Sequence, residues 1–171
     1  MKMVLFCMNP YSFGILHPIM EVLKEREYCY IWFVRKEVID EFPFKNEYVT
    51  SNIQEIIDFK SDALFVPGIE VPHFLRGVKV QTFHGFAGEK KGHFRIRKYF
   101  DLYLTQGPFF TRIFLQLKNK FKNFEVVETG WPKLDIYGKK LHKYDEDANL
   151  FKKEYKVKKI VLFAPTFSPS L

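Results

Sequence analysis

Cysteine is scarce in this chain: only Cys7 and Cys29 occur among 171 residues, each inside an apolar run and without CxxC spacing. That argues against a disulfide scaffold or a paired-cysteine metal site and leaves two reduced core thiols as the expectation, which suits a cytoplasmic compartment. Long hydrophobic runs are missing too. Nothing approaches the roughly 18 consecutive apolar residues of a membrane span, and the opening MKMVLFCMNPYSFG has no long apolar stretch leading to small residues, as a secretion signal would. Nine glycines and nine prolines are outnumbered by 20 phenylalanines, so a Gly/Pro-rich low-complexity chain is excluded. Neither GxGxxG nor GxxxxGK[ST] is present, which argues against a dinucleotide fingerprint and P-loop phosphate transfer, and no HExxH or clustered carboxylates accompany His73, His93 or His142.

What is present is a chain rich enough in apolar residues to fold, 47% hydrophobic and 18% aromatic. Its length fits one domain of about 100–200 residues or a piece of something larger. The formal charge of +7 is uneven: 9 basic and 11 acidic residues precede Gly85, and 18 basic and 9 acidic residues follow from there. Such a field attracts anions, whether phosphorylated small molecules, nucleic acid or an anionic membrane surface, and a merely solvated lysine-rich surface is the plain alternative.

Apolar runs at 2–8, 28–34, 63–66, 78–83, 102–105 and 125–129 read as short strands, several ended by Pro-Gly, His-Gly or Gly-Trp-Pro turns. Between them lie helical patterns: Ile15, Ile19, Val22 and Leu23 after the first strand, and Phe110, Ile113, Phe114, Leu117 and Phe121 in a helix over 108–122 with Pro108 in its first turn. Residues 36–58 suggest short helices broken at Pro43. The alternation predicts an α/β fold, a Rossmann-like open parallel sheet with helices on both faces. In such sheets ligands bind beyond the carboxyl ends of the strands, so function is expected in the loops 9–14, 67–72, 84–91, 106–108 and 130–135. Residues 1–140 read as this first domain. Residues 141–171 read as a linker helix over 145–155 and then, at IVLF (160–163), the first strand of an incomplete second domain, which makes a chain cut short one of two readings; the other has that strand join the first sheet.

The segment QTFHGFAGEKKGH carries the chemistry. His84 ends a strand and can take a proton from a hydroxyl near neutral pH; Gly85, Gly88 and Gly92 allow close approach of an anion to backbone N–H groups; Lys90 and Lys91 supply charge. A histidine that only hydrogen-bonds within its turn is the plain alternative. His17, in or near the first turn of the first helix, is either a satisfied core histidine or a second ring at the same cleft edge. The Phe-rich helix is expected to pack on the sheet rather than lie on a membrane, and HFRIRKYF (93–100) lacks any recognisable nucleic-acid-binding motif, so no nucleic-acid partner is expected.

Three separated segments resemble the CDP-glycerol glycerophosphotransferase family, the enzymes that polymerise teichoic acids and their relatives acting on capsular or surface glycopolymers. QTFHG with Lys90 downstream looks like the family's strand-end His-Gly and lysine, ETGWPKLD (128–135) like its Gly-aromatic-Pro-basic-x-Asp, and VLFAPTF (161–167) like its Ala-Pro-Thr-aromatic. DLYLTQGPF between the first two also fits, so the resemblance covers roughly 78–167. It implies a GT-B architecture of two Rossmann-like domains, the first handling an anionic or glycopolymer acceptor and the second a CDP-linked donor, with only the first contained here. It implies His84 as the general base for attack on the donor β-phosphate, with substrate contacts at Gly85, Lys90, Lys91, Gly130, Pro132, Asp135 and Thr166. No metal, cofactor or covalent intermediate is required, and peripheral contact with the inner face of the cell membrane is expected. The continuation Phe86-Ala87-Gly88-Glu89 differs from the family's Thr-Pro-containing one, so acceptor and transferred unit stay open. A GT-B nucleotide-sugar glycosyltransferase or epimerase, and a non-catalytic module for anionic polymer or membrane surface, stand beside this reading.

Overall fold

A computed structural model describes residues 1–86, 92–135 and 141–163 and divides into two compact units, Met1–Asp135 and Ile136–Leu171. In the first unit seven strands form one sheet: β1 Lys2–Cys7, β2 Cys29–Val34, β3 Val49–Thr50, β4 Ala63–Val66, β5 Val78–Gln81, β6 Leu102–Thr105 and β7 Glu125–Glu128. Every pairing is parallel and the order is β3-β2-β1-β4-β5-β6-β7, the expected Rossmann-like open sheet. The order reverses between β1 and β4, which opens a crevice at the carboxyl ends there.

Alternation along β1 feeds two cores. Met3, Leu5 and Cys7 meet Trp32 and Val34 under helix α1 (Phe13–Glu25), through Phe13, Leu16, Met20 and Leu23. Val4 and Phe6 face the other way, with Ile31, Phe33, Leu64 and Val66, under α2 (Ile53–Phe59) and α3 (Pro108–Phe121), through Ile56, Phe110 and Phe114. Helices therefore cover both faces. Strands with both faces covered need apolar residues at successive positions, which is why β1 and β2 read as continuous runs.

Four expectations are corrected. Val22 of α1 is exposed, because its buried stripe runs through Phe13, Leu16, Met20 and Leu23. Residues 36–58 hold a 3₁₀ turn (Lys36–Glu41), the two-residue strand β3 and α2, rather than short helices alone. Cys29, at the start of β2, is exposed, whereas Cys7 is buried and its thiol is pushed up to about 11 by that burial. In the second unit, residues 160–163 form no strand: Ile160 to Phe163 are unpaired and Val161 is 89% exposed, since a strand needs a neighbour and none is supplied among the described residues. That unit does hold a helix, α4 (Asp145–Glu154), with Asp145, Glu146 and Asp147 in its first turn and Lys152 and Lys153 in its last, the charge order a helix dipole favours. The division at Asp135 falls shortly before the boundary read from the sequence. Among the described residues no helix is long and apolar enough to cross a membrane.

Candidate active site

The strand carrying His84 ends earlier than its apolar pattern. β5 stops at Gln81, Thr82 N–H still donates to Val66 O at 3.1 Å, and Phe83 then takes φ 60°, a left-handed conformation a bulky residue rarely adopts. The break turns the chain sharply enough to bury the Phe83 ring in the α3-side core while leaving the next residue, His84, exposed at the carboxyl edge. Backbone strain of this kind, about 1–3 kcal/mol, persists where surrounding contacts over-determine it.

Three hydrogen bonds fix the turn. His84 Nδ1 lies 3.2 Å from Pro67 O in the loop after β4. A carbonyl only accepts, so Nδ1 carries a proton and donates, which leaves Nε2 as the ring nitrogen not engaged by that bond. Gln81 Nε2 donates to Gly68 O in the same loop, and Gln106 Nε2, from the end of β6, donates to Gly85 O at 2.6 Å. Tyr11, in the loop after β1, sets its ring 5.2 Å from that of His84. The ends of β1 and β4 thus meet the imidazole that follows β5, and the end of β6 holds the residue after it. Gly85 itself is open: a Cβ there would meet nothing within 4 Å.

Beside His84 is a cavity of about 290 Å³, lined by Gln81, Phe83, His84, His93, Arg95 and Arg97, with Tyr103 behind them. The segment that supplies the arginines has no regular structure, yet it is latched. Tyr103 Oη accepts from Arg97 N–H and donates to Arg97 O, both at 3.3 Å, and Tyr99 Oη donates to Ile69 O. Arg97 Nη1 reaches Arg95 O at 3.2 Å, and no carboxylate among the described residues pairs with either guanidinium. His93 stacks on Phe83 at 5.2 Å and meets Phe110 at 5.1 Å; burial, then the nearby His84, lowers its pKa, so its ring is held neutral. Its Nε2 is buried without a partner among the described residues, as are Thr82 Oγ1, Gln106 Oε1 and Trp131 Nε1.

The remaining expected residues divide. Gly130 has φ +75°, the left-handed turn that glycine suits, and Pro132 opens a 3₁₀ turn (Pro132–Leu134) after which Asp135 N–H donates to Pro132 O. This loop borders the site through Trp131, whose ring meets Phe86 edge-on at 4.8 Å. His17 stands elsewhere. It sits in the second turn of α1, stacks on Phe44 at 4.9 Å and lies 3.5 Å from Glu21 Oε1, on the core face opposite the cavity. Lys90, Lys91 and Thr166 lie outside the described residues. Among the described residues no three His, Cys, Asp or Glu side chains are grouped to hold a metal ion.

Tyr11, His93, Arg95, Arg97 and Gln106 were not singled out by sequence reasoning. The usable signal was HFRIRKYF, where arginines two apart within an aromatic stretch place two charges beside apolar packing. Compared with protein-family models, with curated proteins and with solved structures, the chain matches none.

Proposed function

We propose that this chain is the acceptor-side domain of a CDP-glycerol glycerophosphotransferase-like enzyme, which transfers glycerol phosphate or a related group from a CDP-linked donor to a hydroxyl of a cell-surface glycopolymer. The observation that carries the reading is the placement of His84: Nδ1–H is turned to Pro67 O, which leaves Nε2 as the ring nitrogen available for proton transfer at an open strand end. In this scheme Nε2 takes the proton of the acceptor hydroxyl. The freed oxygen forms a bond to the donor β-phosphorus, the bond from that phosphorus to the bridging oxygen breaks, and CMP leaves with the electron pair. The imidazolium keeps the proton until solvent takes it. The basic second half of the chain supports an anionic substrate. Acceptor chemistry of this kind belongs on the inner face of the cell membrane, where a peripheral protein meets lipid-borne polymer.

The test is acceptor-dependent CMP release by the full-length gene product. His84→Ala is expected to lower it by about 10³-fold, at the upper part of what a positioned base contributes, with an unchanged circular-dichroism spectrum. Turnover near that of the unsubstituted protein would overturn the assignment. UDP-sugars competing with the donor better than CDP-glycerol would move the reading to a nucleotide-sugar transferase of the same architecture.

A further inference from the structure

We propose that the cavity beside His84 is a binding site for a small phosphate ester, its oxyanion held by the guanidinium groups of Arg95 and Arg97 and by Nε2 of His93. Three independent observations meet there. Neither arginine has a carboxylate partner among the described residues, so both guanidinium groups that line the cavity stand ready for an anion. The His93 Nε2 is buried without a partner among the described residues, on a ring lining the same space. The segment is also preorganised without a ligand, through the reciprocal bonds between Tyr103 Oη and the Arg97 backbone and the Tyr99 latch to Ile69 O.

Chemistry and size narrow the ligand. Guanidinium forks match the planar pairs of oxygens on a phosphate, and a neutral imidazole in its Nε2–H form adds a donor without adding charge. A space of about 290 Å³ is at the small end of ligand pockets and suits a phosphate with a few carbons better than a larger ligand. Binding needs no donor nucleotide and no turnover. The site deepens the transferase reading by giving the acceptor a phosphate near the attacking hydroxyl, and it rests on that reading only for its role in a reaction.

The experiment is a titration of the 171-residue chain, followed by the His93 ring resonances in NMR, with inorganic phosphate, methyl phosphate and CMP at matched ionic strength. Saturable shifts with phosphate and methyl phosphate are expected, with affinity for CMP weaker by about tenfold or more, and Arg95→Gln combined with Arg97→Gln is expected to lower phosphate affinity about tenfold or more. Three results overturn the site: shifts no larger than those from chloride, shifts that survive the double substitution in a protein with otherwise unchanged spectra, or CMP binding as tightly as methyl phosphate. Phosphate binding together with CMP release indifferent to His84→Ala would refute the transferase reading and leave the site standing.

Discussion

The two ends of β5 differ in almost every respect that a strand end can. At its amino end the chain is closed. Gly77 has φ +105°, and a Cβ there would stand 2.7 Å from Ser61 O and 2.9 Å from the Asp62 carbonyl carbon. Val78 N–H donates to Asp62 O, Lys79 N–H to Asp101 Oδ2, Lys79 Nζ to Leu75 O, and Ser61 Oγ to Arg76 O, all within 2.9 Å. At its carboxyl end the chain is open: Phe83 is left-handed, Gly85 has nothing within 4 Å of its missing side chain, and Thr82 Oγ1 and Gln106 Oε1 are buried without partners among the described residues. Among the described residues, the amino end pairs these four donors while the carboxyl end leaves two buried oxygens unpaired. Such a division is expected where a sheet is stabilised at one edge and uses the other for ligands.

Substitutions can break this comparison. Gly77→Ala should be the most damaging to the fold, because the left-handed backbone and the carbonyl contact both resist a methyl group. A loss of about 3 kcal/mol in urea unfolding is expected, at the upper end for a strained backbone position. Asp101→Ala should cost about 1–3 kcal/mol, the penalty for leaving a buried donor without its acceptor, here the Lys79 N–H. Gly85→Ala should change stability by less than about 0.5 kcal/mol, since the methyl meets open space, while weakening substrate binding beside His84. Equal losses for Gly77→Ala and Gly85→Ala would erase the distinction between the two ends.

Much of the closed architecture was legible because it rests on local pattern. The strands 63–66 and 102–105 were read to the residue, being short apolar runs stopped by Pro67-Gly68 and by the polar Gln106 before Gly107-Pro108. β3 was missed because two residues carry no periodicity; Val49 and Thr50 become a strand only through pairing with Trp32 and Phe33. Phe83 was read as strand because it is apolar, whereas tertiary contacts turn it out of the ladder after Gln81. His17 reads from the sequence either as a core histidine or as a ring at the cleft edge; α1 begins at Phe13, and one helical turn carries the ring round to Phe44, on the core side. The cavity's arginines left only the weak signal of HFRIRKYF for the opposite reason: residues 92–100 have no regular structure, and tertiary contacts, among them the bonds to Tyr103 and Ile69 and the stacking of His93 on Phe83, bring His93, Arg95 and Arg97 to His84. His84 itself stood out because its position, one step past an apolar run and before glycine, is itself a sequence pattern.

The contact between Tyr11 and His84 has a steric consequence. With the two rings 5.2 Å apart and inclined by 35°, the phenol screens part of the imidazole of His84, which lines the cavity. In the proposed reaction the phenol would therefore limit the side of His84 on which the bulk of an acceptor can lie.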